Sequence, residues 1–134
     1  MRAASAGSGG TWQTSSMAVR IRRAYAEPDP ADGSRVLVDR VWPRGRSRAA
    51  LRLAGWEREV APSDELRRWF GHDPARWEEF RRRYRAELEA PDRQAALGRL
   101  AVLARAGTLT LVYGAADEAH NQAVVLREVL VEQA

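Results

Sequence analysis

Within the stretch Arg35 to Trp42, which reads as a β-strand, the run Val36-Leu37-Val38 calls for burial on both faces. A strand of that kind belongs to a sheet with layers packed against it on either side. A further strand is predicted from Thr108 to Tyr113, between Gly107 and the turn Gly114 to Asp117. The long interval between the two leaves room for a right-handed helical crossover, so they are expected to lie parallel. An earlier strand begins near Val19, where Val19 and Ile21 alternate with Arg20 and Arg22. The turn formers Pro28 to Ser34 leave too little chain for a crossover helix, so direct pairing of the first two strands would be antiparallel.

The interval before the last strand has the punctuation of helices. Ser63 can cap a helix that carries Asp64 and Glu65 in its first turn and stops at Gly71. Asp73-Pro74 restarts a helix whose Trp77, Phe80, Tyr84 and Leu88 form one apolar stripe. Pro91-Asp92 opens another, with Leu97, Leu100, Leu103 and Ala104 facing a core. A final helix is predicted over Glu118 to Glu132, capped by Asp117, with Ala119, Ala123, Leu126 and Leu130 on one side. The expected fold is α/β: a small mixed, partly parallel sheet covered by helices, in a single domain.

A chain of 134 residues that is 45% hydrophobic can bury a core of its own, and no apolar run approaches a membrane span. Residues 1–16 are small and polar and read as a flexible tail with one lone aromatic, Trp12; Met17 is a plausible alternative start, with the domain running from 17 to 134. There is no cysteine, which removes thiol nucleophiles, disulfides and thiolate metal sites. All 22 basic residues are arginine, which removes Schiff-base and P-loop lysines.

In parallel sheets ligands bind beyond the carboxyl ends of the strands. The second strand is followed by Asp39, Arg40, Trp42, Pro43, Arg44 and Gly45, the last by Tyr113, Gly114, Asp117, His120 and Asn121. If the strands are neighbours these sets share one rim. Arg40 and Arg44 could clamp a carboxylate or phosphate; the competing reading is an ion pair with Asp39 or a turn contact. His120 suits an acid or base oriented by Asp117, and a capping or surface role suits it equally. His72 and Asp73 have local work at a helix junction, where His72 covers the break and Asp73 caps. A metal held by His120, Asp117 and His72 is not expected, since no His-x-x-x-His spacing occurs. The arginine run at Arg81 to Arg85 is interleaved with Glu78, Glu79, Glu87 and Glu89 and reads as a nearly neutral solvated helix face.

The segments Arg35 to Gly45, Ala61-Pro62-Ser63, Leu66 to Pro74, Trp77 to Tyr84 and Leu111 to Asn121 resemble the short bacterial YeaO-like proteins, a domain family of unknown function, in the same order over about residues 18 to 131. The resemblance implies a small cytoplasmic α/β protein. Its motif positions fall on Asp39, Arg40, Trp42, Pro43, Arg44, Gly45, His72, Asp73, Tyr113, Asp117, His120 and Asn121. Larger members carry a cysteine near the end of the last strand and a Cys-His-Arg-like run at the next helix; Tyr113, Gly114 and Asn121 stand in that region here.

Two functions follow as expectations. The first is a site for a small anionic ligand, phosphorylated or nucleotide-like, in which Asp39, Arg40, Trp42, Arg44, Gly45, His72, Asp73 and Tyr113 bind and His120, Asp117 and Asn121 act. Hydrolysis or group transfer is the least demanding chemistry for such a set, and no cofactor is expected. The alternative is a nucleic-acid-binding or regulatory protein without catalysis, using Arg20, Arg22, Arg23, Arg46, Arg48 and Arg52 along the same edge. A third reading is a stress-related or partner-binding domain with no chemistry, in which the rim residues only hold strand ends together. No membrane partner is expected, and the sequence leaves the oligomeric state open.

Overall fold

The computed structural model describes residues 18–133. The expected tail over 1–16 and the start at Met17 lie outside the described residues. Strands β1 (Val19–Arg23), β2 (Ser34–Leu37), β3 (Gly55–Trp56) and β4 (Leu109–Tyr113) form one four-stranded sheet in the order β1-β4-β2-β3. The helices are α1 (Arg48–Leu51), α2 (Asp64–Phe70), α3 (Trp77–Glu87), α4 (Pro91–Ala106) and α5 (Gln122–Glu132).

The α/β class and the parallel pairing of the second and last strands are as expected, but the sheet is not mixed: all its pairings are parallel. The first two strands do not pair with each other, because β4 lies between them. The burial pattern explains this. All five residues of β4 are buried, whereas β1 buries only Val19 completely. A strand with no solvated face belongs in the centre, and the half-exposed one goes to the edge. The second strand also stops at Leu37 rather than Trp42, although the Val38 N–H still donates to the Val112 carbonyl at 3.0 Å. The short elements α1 and β3 have no periodic pattern in the sequence.

The two faces of the sheet carry different loads. Val19, Val36, Val38, Leu109, Leu111 and Tyr113 pack under α2–α5 in one continuous core. The stripe on α3 is as expected, with Phe80, Tyr84 and Leu88 buried and Trp77 packed at their margin. The other face is covered more thinly. Leu37 and Val112 meet Leu51 of α1, with Trp42, Leu53 and Trp56 at its edge.

On that thinner face Asp32 is fully buried beside Arg35, which is 3% exposed. Asp32 accepts from Arg35 Nη1 at 2.7 Å and from the Asp29 N–H at 3.0 Å, and Arg20 and Arg22 approach at 3.5 and 3.6 Å. Arg35 also donates through Nε to the Leu51 carbonyl, which ties β2 to α1. Among the described residues, no helix is long and apolar enough to cross a membrane.

Removing one partner of a buried ion cluster leaves an uncompensated charge, which costs far more than the net worth of the pair. Asp32→Ala should therefore lower the unfolding free energy by about 3–5 kcal/mol, read from the urea midpoint. A change below about 1 kcal/mol would mean that the arginines relax into solvent at no cost.

Candidate functional site

Asp39 leaves the end of β2 and turns toward the end of β4. Its Oδ2 accepts the Gly114 N–H at 2.8 Å, and its Oδ1 accepts from the Gln122 side-chain amide at the start of α5. The carboxylate thus fastens two strand ends and a helix together. A Cβ on Gly114 would stand 2.9 Å from Asp39 Oδ2, so any side chain there would force the carboxylate to shift. Burial raises the Asp39 pKa to about 6, against the opposing pull of those two hydrogen bonds.

Above Asp39 opens a cleft of about 250 Å3. Ala61, Pro62, Phe70 and Phe80 give it an apolar wall, and Arg40, Arg67, His72 and His120 stand around it. Phe70 and Phe80 stack with centroids 4.4 Å apart. Arg40 Nε is buried without a hydrogen-bond partner, 3.6 Å from an Asp64 oxygen that Arg67 holds at 2.6 Å. The Arg67 hydrogen bond keeps the Asp64 carboxyl below the usual carboxylate range.

His120 is fixed from two sides. Its Nδ1 lies 2.9 Å from Asp117 Oδ2, and its ring stands edge-on to Trp77 at 5.2 Å. The His120 hydrogen bond, with further N–H donors, lowers the Asp117 pKa, so the ionised carboxylate accepts a hydrogen bond from Nδ1–H and leaves Nε2 as the free ring nitrogen. Asp117 Oδ1 also accepts the Ala119 and His120 N–H groups. That turn is what the sequence mistook for a helix start. The cap of α5 is Asn121, whose Oδ1 accepts from Ala123 and Val124 and whose Nδ2 donates to the Asp117 carbonyl. His120 therefore sits in the loop before the helix, and Ala119 is exposed rather than on its apolar side.

The expected rim divides. Asp39, Arg40, His72, His120 and Asn121 line the cleft, although Asn121 has its side chain engaged in capping. His72 has φ +58°, a left-handed conformation that side-chain-bearing residues seldom adopt, so it both closes the break after α2 and edges the cleft. Asp73 caps the turn that follows and lies 3.7 Å from Arg76. Tyr113 is buried behind the site, where burial raises its pKa. Trp42 packs edge-on against Trp56 on the other side of the sheet, and Arg44 and Gly45 belong to the turn beside it. Arg67 and Gln122 are the polar cleft residues that the sequence reading missed. Gln122 becomes legible only once Asn121 is taken as the cap, which places it at the first helical position. Among the described residues, no three His, Asp or Glu side chains are grouped to hold a metal ion.

The family model described as the inactive DUF488-N3 subclade matches residues 18–134. The chain belongs to this family. Its relatives include an uncharacterised protein of Mycobacterium tuberculosis H37Rv, 43% identical over 112 residues that make up 84% of this chain and 92% of the relative. The YeaO protein of Escherichia coli K12 is 39% identical over 112 residues, covering 84% of this chain and 96% of its own length. The YeaO-like resemblance of the strand and helix motifs is thereby borne out. No solved structure matches the chain.

In this member of the DUF488-N3 subclade the buried Asp39 should leave a mark on stability. Its native pKa of about 6 lies above the value near 3.8 that it takes when solvated, so the folded state binds more protons between those values. Its contribution to stability therefore falls as pH rises from about 4 to about 6, by roughly 3 kcal/mol. Asp39→Asn keeps the Gly114 bond, and Gln122 can present its carbonyl to the new amide. The wild type minus variant difference in unfolding free energy, measured across that range, should follow this curve; a flat difference would place the Asp39 proton elsewhere.

Proposed function

We propose that the cleft binds a small anionic ligand, phosphorylated or nucleotide-like, at the carboxyl ends of β2 and β4. The observation that carries this reading is Arg40, which lines the cleft and whose buried Nε makes no hydrogen bond, the Asp64 carboxylate standing 3.6 Å away. A buried N–H without an acceptor costs free energy that a ligand oxygen would recover. Arg67 supplies a second guanidinium, in the role expected of Arg44, and His120 Nε2 faces the same ligand as a hydrogen-bonding group. Phe70, Phe80 and Pro62 offer an apolar wall to the uncharged portion. The reading takes the chain to be cytoplasmic, where phosphorylated metabolites are held.

Binding without turnover is the form that agrees with a subclade described as inactive. The contact between Asp117 and His120 Nδ1 at 2.9 Å favours one second reading, acid-base catalysis of hydrolysis or transfer on the same ligand. Release of phosphate from bound phosphomonoesters, abolished by His120→Gln, would establish it.

A thermal-unfolding screen with nucleotides, sugar phosphates and pyrophosphate tests the proposal. A ligand present at 100 times its Kd adds about 2.7 kcal/mol, which moves the Tm of a domain of this size by several degrees. Arg40→Gln and Arg67→Gln should each abolish most of the shift without lowering the Tm of the free protein by more than a degree or two. A wild-type protein whose Tm no anion moves would defeat the reading.

A further inference from the structure

We propose that a second surface, on the α1 side of the sheet and separate from the cleft, binds single-stranded nucleic acid through stacked aromatic and arginine side chains. The surface is joined by direct contacts. Arg23 lies over the Tyr25 ring at 5.3 Å, and the Tyr25 hydroxyl donates to the Arg44 carbonyl at 2.9 Å. Trp42 donates to the Arg46 carbonyl, carries Arg48 over its ring at 5.7 Å and meets Trp56 at 5.5 Å. Arg58 covers Trp56 at 4.2 Å.

The charge of this array is uncompensated. Arg23, Arg44, Arg46, Arg48 and Arg58 form no ion pair among the described residues, and residues 1–17 contain no carboxylate that could reach them. The neighbouring acids are turned elsewhere: Glu57 holds Arg99 with bonds of 2.8 and 3.0 Å, and Glu59 also acts on Arg99. The arginine run of α3 is the contrast. There Arg81, Arg82, Arg83 and Arg85 all pair with Glu78, Glu79, Glu128 or Glu132.

An unbalanced basic surface attracts phosphates, and aromatic rings within it favour bases that are free to unstack. Tyr25 is the exposed platform, 43% accessible and steered by its hydroxyl bond. Arg48 and Arg58, held over indole rings, present planar guanidinium faces on which further bases can lie. A duplex offers phosphates but keeps its bases stacked, so the mixed surface fits a single strand better.

Fluorescence anisotropy of a labelled oligo(dT) of about 15 nucleotides measures the binding, with a duplex of equal length and inorganic polyphosphate as competitors. The wild type should bind the single strand at least about tenfold more tightly than either competitor. Arg44→Gln, Arg48→Gln and Arg58→Gln together should weaken binding more than about tenfold and flatten the log Kd against log salt slope by about two. Tyr25→Ala should weaken it about tenfold at unchanged slope. Arg82→Gln with Arg83→Gln should change neither quantity. Circular dichroism confirms that these surface variants fold. Absence of binding at low salt, equal affinity for duplex or polyphosphate, or equal losses in the Arg82 and Arg83 variant would each overturn the proposal. Loss of oligonucleotide binding would leave the Arg40 cleft untouched, so the two readings fail separately.

Discussion

A strand with no solvated face has to hydrogen-bond on both edges and be covered on both sides, and β4 is that strand. Once Leu109–Tyr113 occupies the centre, β1 and β2 must flank it, and neither can pair with the other. The register then brings the ends of β2 and β4 side by side, with Leu37 opposite Val112. Asp39 and Gly114 fall within hydrogen-bonding distance as a consequence. The cleft is therefore a product of sheet order, and its floor is the bond that closes the gap between the two strand ends.

Arginine does several different jobs in a chain that has no lysine. On α3 its charge is cancelled by glutamates of the same helix and of α5. Beneath the sheet, Arg35 uses its planar fork to satisfy both Asp32 and the Leu51 carbonyl, which a lysine ammonium could not do with the same geometry. Arg48 and Arg58 lie against the indole rings of Trp42 and Trp56, while the neighbouring Glu57 is held by Arg99. The same side chain thus serves packing, neutralised solvation and an open positive surface, and only its neighbours distinguish these uses.

Membership of a subclade described as inactive gives the polar residues of the cleft a different weight. Asp117 and His120 retain an ordered contact, yet Asn121 is committed to the helix cap and Asp39 to holding strand ends. Much of the polar constellation at the strand ends is engaged in keeping the loops in place. Arg40 and Arg67 share a single carboxylate, Asp64, and the binding reading rests on their remaining N–H groups.

The sequence by itself determined the class, the parallel relation of the second and last strands, the bounds of α2 and α4 and the neutral character of the α3 arginines. These are local matters: caps, prolines, glycines and apolar spacing are read within a few residues. It also placed Asp39, Arg40 and His120 at one rim, to which the family resemblance added His72. The tertiary structure decided the rest. Insertion of β4 between β1 and β2, the choice of Asn121 over Asp117 as the cap, and the burial of Asp32 among three arginines depend on contacts between distant segments. The same holds for the division of the rim, where Trp42, Arg44 and Gly45 go with the α1 side of the sheet while Arg67 and Gln122 enter the cleft. Which face a residue takes after a strand ends is set by the packing it meets, and no spacing along the chain encodes that packing.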